Sequence, residues 1–228
     1  MGKTEANVSI GGRLSFPIFE YDKAVIANQK SPYPEQDVKN VTPEFNLLVN
    51  ETQKQKLADH ILDIYLPFAV ALRKADPTGK KGFDQREADK IAAFIKAEDW
   101  ADAPPHTPFK AVPKKTQALD PGAVAMIKIK GMRGRDIIQE AIVRKEEDLR
   151  VPGTQLTFPA LVPINESKFE LYPGCEALAT LNLYAYVASK VPGISASAST
   201  VVFRADADQF GGGLDVDMDE IFIEDLDS

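Results

Sequence analysis

The stretch ALATLNLYAYV, residues 177–187, has a clean period of two over its second half. Leu181, Leu183, Ala185 and Val187 fall on one side of an extended chain, and Thr180, Asn182, Tyr184 and Tyr186 on the other. That pattern predicts a long half-buried strand. Its aliphatic side faces a core, and its aromatic–polar side is left for solvent or a ligand. Pro192-Gly193 reads as a turn, with Ile194 to Arg204 as the returning strand of a hairpin.

Outward from this hairpin the chain keeps a β character. Ala123 to Lys130 alternates, with Val124, Ile127 and Ile129 apolar and Met126, Lys128 and Lys130 opposite them. Glu44 to Val49 is a further strand, and Val8 to Phe16 another, whose paired Gly11 and Gly12 predict a bulge or sharp bend. Pro159 and Pro163 restrict Thr157 to Ile164 to an edge element. Between the early and late strands lies an insertion, about residues 52–121. It holds a helix from Thr52 to Leu66 that Pro67 perturbs or ends, and a second from about Gln85 to Ala97. A proline-rich loop over 101–121 completes it, and Pro32 and Pro34 place 28–43 in a loop as well. About five long strands fit a mainly β, α+β architecture: an OB-fold-like, partly open five-stranded barrel. A sandwich would need about seven short strands.

Gly211-Gly212-Gly213 separates this domain, residues 1–210, from a tail, 211–228, expected to be flexible and disordered. Residues 214–228 hold seven acids and no Lys or Arg, equal to the whole formal net charge of −7. The body is therefore neutral on average, yet residues 110–135 carry seven basic side chains against one acid, Asp120. The tail also contains Ile221-Phe222-Ile223 and Leu226, which a purely solubilising segment does not need.

Other classes find little support. No apolar run is long enough to span a bilayer, and the N-terminus lacks the apolar core of a signal peptide. The lone Cys175 fits a reducing cytoplasm and excludes an internal disulfide. His60 and His106 read as surface or core residues rather than catalysts. Gly79-Lys80 lacks the upstream glycine and the following Ser or Thr of a P-loop. Asp215-Val216-Asp217-Met218-Asp219 is followed by Glu220 where a calcium loop needs glycine. No catalytic constellation, cofactor or metal site emerges.

What survives is the pairing that single-stranded nucleic acid requires, cations along the phosphates and rings beneath the bases. The cationic candidates are Arg13, Lys110, Lys114, Lys115, Lys128, Lys130, Arg133, Arg135 and Arg204, joined by Asn182, Tyr184 and Tyr186 on the long strand. Trp100, Phe109 and Tyr172 are further candidates for base stacking, although the first two serve equally well as loop anchors. Against this, Tyr-x-Tyr on a strand is as often a packing pair, and Lys-x-Lys more often a solvated face.

Gly12-Arg13-Leu14-Ser15-Phe16-Pro17, Phe45-Asn46-Leu47-Leu48-Val49, Leu171-Tyr172-Pro173-Gly174-Cys175 and Asn182-Leu183-Tyr184-Ala185-Tyr186 resemble a phage family. So does Pro192-Gly193-Ile194-Ser195-Ala196, followed by Val201 and Phe203. The family is that of phage single-stranded DNA-binding proteins of the Enc34 type, of OB fold and formerly catalogued as a domain of unknown function. The likeness spans roughly residues 7–213. It implies non-enzymatic, sequence-independent binding of single-stranded DNA in phage replication, recombination and repair, in the host bacterial cytoplasm, with a homo-oligomer as a further possible partner. The tail, through Asp219, Glu220, Phe222, Glu224, Asp225 and Asp227, is expected to compete with DNA and to recruit a replication partner such as a polymerase, helicase or primase. The alternative is a structural or virion-assembly protein with a solubilising tail. A nuclease would need clustered carboxylates, and the body's acids are scattered. Tyr184 and Tyr186 are expected to matter more for binding than Lys54 and Lys56 on the first helix.

Overall fold

The computed structural model describes residues 5–31, 34–35, 37–98, 100, 106–143, 160–167 and 169–210. The glycine linker and acidic tail lie outside the described residues, as do 101–105 of the proline-rich loop and 157–159 of the expected edge element.

Five strands close a barrel. β1 (Asn7–Ile18) pairs with β2 (Glu44–Val49), β2 with β4 (Ala125–Lys130), β4 with β8 (Val191–Ser197), β8 with β7 (Glu176–Ala188), and β7 again with β1. All these pairings are antiparallel except β4–β8, which is parallel. This is the OB-like α+β architecture that the strand count predicts. The β4–β8 seam is its thinnest closure, with Ile129 opposite Ala196 and Lys130 opposite Ser197. Beyond those pairs the two strands diverge, and residues 106–110 fill the gap. They enter beside β8, where the Ile194 N–H donates to the His106 carbonyl (2.8 Å), and leave as β3 (Phe109–Lys110) along β4. Thr107, Pro108 and Phe109 are buried in the wedge.

The core follows from the alternation. Phe45, Leu47 and Val49 of β2, Ile127 and Ile129 of β4, and Leu181 and Leu183 of β7 are all buried. Each such aliphatic or aromatic side chain contributes roughly 1.5–3 kcal/mol on burial. The insertion packs against this barrel through Leu57, Ile61, Tyr65, Phe83, Ile91 and Ile95, within one continuous cluster. α2 (Glu51–Asp59) starts at Asn50, whose side chain accepts the Gln53 N–H (3.0 Å). α4 (Gln85–Ala97) starts with a reciprocal capping box between Asp84 and Glu87.

Several expectations are corrected. Pro67 perturbs the first helix, one of the two outcomes expected, without ending it. A π-helical turn, His60–Tyr65, leads into α3 (Leu66–Ala75), with the Leu66 N–H reaching back to the Ile61 carbonyl. The wide turn opens just before Pro67, which has no N–H to give and needs room at the preceding turn. Residues 28–43 are not all loop: α1 (Tyr21–Lys30) and a 3₁₀ turn at Val38–Asn40 lie there or just before. The 101–121 segment contains β3 and α5 (Lys114–Leu119). β1 runs straight through Gly11-Gly12, and its irregularity falls between Ser15 and Ile18. Gly12 is needed instead because a Cβ there would sit 2.5 Å from the Leu48 carbonyl oxygen of β2.

The hairpin differs too. Its turn is Ser189-Lys190, both left-handed (φ 49° and 70°), and Pro192-Gly193 lies within β8. The returning segment is two strands: β8 and then β9 (Thr200–Ala205), which moves to pair with the start of β7 and with β5 (Ile138–Val143). β6 (Ala160–Pro163) pairs with β5 at the end of the sheet, the edge position that Pro163 demands.

Candidate nucleic-acid interface

On β4 the side chains of Ala125, Ile127 and Ile129 are buried, so Met126, Lys128 and Lys130 face outward. On β7 the same logic turns Thr180, Asn182 and Tyr184 outward, with Tyr186 half-buried on that side. Register then joins the two strands across β8. Glu44, Lys130, Ser197, Asn182 and Asn7 are successive partners across β2, β4, β8, β7 and β1, forming one polar row on the outer surface. One step further along the hairpin Tyr184 opposes Ser195, and beyond it Tyr186 opposes Gly193. Paired residues on neighbouring strands share a face. Lys130 and the two tyrosines therefore belong to one continuous surface, with cation and rings about 10–15 Å apart by strand spacing.

The rings of Tyr184 and Tyr186 have centroids 6.0 Å apart with planes tilted by 41°. Tyr184 is 45% exposed. Burial, with a smaller effect from Tyr184, pushes the Tyr186 phenol above its usual value, so it stays a neutral donor. Beneath them the buried Tyr65 fixes the arm. Burial pushes its phenol well above the usual value, and a backbone hydrogen bond from Ala185 to its oxygen offsets part of that rise.

The neighbouring cations differ in freedom. Lys128 lies 3.6 Å from Glu44 and is part-shielded, whereas Lys130 is exposed. Arg133 and Arg135 are exposed on the turn after β4, where Gly134 takes φ +65°. Lys110 is beside Met126 on β3, and Lys114 and Lys115 are exposed on α5, toward the start of β4.

Other candidates are engaged within the fold or lie away from this face. Arg13 is on β1: its Nε donates to the Gly174 carbonyl (2.9 Å), its guanidinium lies 4.3 Å from the Phe210 ring centroid, and it also reaches Asp208 and Asp120. The Tyr172 hydroxyl accepts the Ala207 N–H (3.1 Å) and lies within reach of Asp206. Gly174 (φ +106°) lets the same C-terminal segment pass, since a Cβ would meet the Asp208 carbonyl at 2.4 Å. The Leu-Tyr-Pro-Gly-Cys element is thus a clamp on residues 206–210. Phe109 is buried and stacked on Trp100 (4.5 Å, 22°), which also meets Phe94 edge-on, so both are loop anchors here. Arg204 reaches over Gly11 at the far end of β7, about 20 Å along the strand from Tyr184. The tail residues Asp219, Glu220, Phe222, Glu224, Asp225 and Asp227 lie outside the described residues.

Residues that sequence reading missed are Asn7, Ser195, Ser197, Gly193 and His106, all placed by register rather than by type. Lys54 is not a surface lysine. It is 5% exposed and held between Glu98 (2.7 Å) and Glu51 (2.9 Å). Among the described residues no group of three His, Cys, Asp or Glu is placed to hold a metal ion, and no helix is long and apolar enough to cross a membrane.

No protein-family model matches the chain, and no curated protein matches it. Among solved structures it is similar to the single-stranded DNA-binding protein from bacteriophage Enc34 in complex with ssDNA, at 16% identity and TM-score 0.49, covering 91% of each chain. A second structure of the single-stranded DNA-binding protein from bacteriophage Enc34 is similar at 15% identity and TM-score 0.48, covering 96% of this chain and 91% of that one. A third is gp2.5, a single-stranded DNA binding protein encoded by bacteriophage T7, at 11% identity and TM-score 0.43, covering 94% and 99%.

Proposed function

We propose that this chain binds single-stranded DNA without sequence preference, through the outer face of β4, β8 and β7. The observation that carries the reading is the register that sets Lys130, Asn182, Tyr184 and Tyr186 on one surface. Phosphates follow the lysines and the arginines of the 131–135 turn, while bases stack on the tyrosines. Stacking contributes roughly 1–3 kcal/mol per base and tolerates any base, because each has a π-face. The role is non-catalytic and belongs to phage DNA replication, with recombination and repair as further settings, in the host cell. The acidic tail competes with DNA for the cationic face, and its apolar residues dock on a replication protein. Self-association stays open.

Titration of the full chain and of a form lacking residues 211–228 against labelled oligo-dT tests the reading. Binding that weakens with salt, and weakens further for Tyr184→Ala and Tyr186→Ala than for Lys56→Ala, is expected. Tail deletion is expected to tighten binding. No binding by either form at low salt overturns the function and favours a structural protein. Equal effects of all three substitutions place the platform elsewhere.

A further inference from the structure

The segment that fills the barrel gap brings one more aromatic ring to this surface. His106 forms a parallel bridge with Gly193, and Gly193 is in turn the partner of Tyr186. His106, Gly193 and Tyr186 thus make a row across three neighbouring chains, with side chains directed to the same side. The central position has no side chain. The Tyr186 ring occupies the space above it: a Cβ on Gly193 would lie 2.5 Å from Cζ and 2.9 Å from Cε1 of that ring. Tyr186 therefore reaches across β8 toward the chain that carries His106. His106 is exposed, and its backbone is tied to β8 by the Ile194 N–H. Thr107 and Phe109, next in sequence, are buried and hold the segment in the gap. An exposed imidazole is thereby fixed on a rigid wedge, at the edge of the two-tyrosine face.

We propose that His106 is a third base-contacting residue, its ring stacking on a nucleobase next to the one received by Tyr186. The proposal rests on the single-stranded DNA reading and extends it from the hairpin to the wedge between β4 and β8. It gives that wedge a binding role besides closing the barrel. The strand then crosses β8 over Gly193, with Tyr186 beneath it and His106 and Tyr184 on two sides.

Oligo-dT titrations at fixed low salt with His106→Ala, His106→Gln and His106→Phe test this, with wild type and Tyr186→Ala alongside and melting curves for each. Stacking in its usual range predicts a roughly five- to hundredfold loss for both Ala and Gln, with Phe restoring most of the affinity. Unchanged melting curves are expected, because the side chain is exposed and the backbone makes the bridge. If Tyr186→Ala loses affinity while His106→Ala and His106→Gln bind like wild type, the His106 role is overturned and the broader reading stands. If Gln alone keeps wild-type affinity, the contact is a hydrogen bond and the stacking proposal falls. If wild type does not bind, both readings fall together.

Discussion

The phenol of Tyr186 lies over the backbone of Gly193, its partner on β8, so closely that a methyl group on the glycine would sit 2.7 Å from the phenol oxygen. A strand glycine is normally a weak point, because it has no side chain to pack and loses more entropy on folding. Here the neighbouring ring covers the bare backbone. The half-buried tyrosine is thereby held at the surface instead of swinging freely, as a stacking platform requires.

Gly193→Ala tests that relationship. Gly193 is not among the positive-φ residues, so alanine fits the backbone, and only the ring must move. Tyr186 is half-buried and can swing outward, so the stability cost is expected near the low end of overpacking, about 1 kcal/mol. Affinity for oligo-dT should fall by as much as it does in Tyr186→Ala. Retained affinity with a displaced ring would show that the position of Tyr186 over β8 is irrelevant to binding.

Salt dependence separates the cations. Each phosphate neutralised on a single strand adds about 0.7 to the slope of log affinity against log salt. Lys130→Ala is expected to lower that slope by about this amount. Glu44 opposes Lys130 and pairs with Lys128 at 3.6 Å, so Glu44→Gln is expected to tighten binding at low salt. A slope unchanged by Lys130→Ala would remove β4 from the phosphate path.

The strands were legible in the sequence where alternation was strong. Glu44–Val49 appears as read, and Leu181 and Leu183 point inward as their spacing requires. α1 was not legible, because its ten residues bury only Ala24 and Ala27 and show no apolar stripe. β5 is not marked in the sequence either, because Gln139 and Glu140 follow Ile138 without apolar alternation, and Ile138 itself is exposed. The hairpin turn is hidden for a different reason. Pro-Gly is a strong turn signal, whereas Ser189 and Lys190 adopt left-handed geometry with no residue that advertises it. That shift decided what could be seen of the site. Lys128, Lys130, Tyr184 and Tyr186 follow from alternation alone, but their neighbours follow from register. Until the turn is fixed at 189–190, nothing places Gly193 under Tyr186, or His106 beyond it. The surroundings of Arg13 and Tyr172 are hidden for the opposite reason: composition shows a cation and a ring but not the Gly174 carbonyl, the Phe210 ring and the Ala207 N–H that engage them.

A pH prediction comes from the loop after α3. The Asp76 carboxylate accepts the backbone N–H groups of Lys81 and Lys80 (each 2.8 Å) and of Thr78 (3.1 Å), and it also accepts the Thr78 hydroxyl. These bonds favour the charged form and hold its pKa at about 2, the Lys81 N–H contributing most. The folded value is depressed, so the stabilisation is complete above the unfolded value near 4. It is lost as pH falls toward 2. Carboxyl titration followed by NMR is expected to place Asp76 at about 2, and Thr78→Ala to move it upward. An ordinary Asp76 titration would show that the loop does not hold this geometry in solution.

The last prediction concerns Arg13, which its type would assign to DNA and its surroundings assign to the fold. Its guanidinium is engaged by the Gly174 carbonyl, the Phe210 ring and Asp120, and through Phe210 and Asp208 it ties down the residues that immediately precede the acidic tail. A stacked cation and a charge-assisted hydrogen bond together stabilise by about 1–3 kcal/mol. Arg13→Ala is therefore expected to lower the melting temperature by several degrees, at about 2–4 °C per kcal/mol for a domain of this size. The salt slope for oligo-dT should not change, because the guanidinium is already occupied. Arg13→Lys should recover only part of the loss, since an ammonium cannot reproduce the planar fork that meets the carbonyl and the ring together. Were the salt slope instead to drop by about 0.7 with the melting temperature untouched, Arg13 would be a phosphate contact. The clamp around Gly174 would then hold residues 206–210 without it.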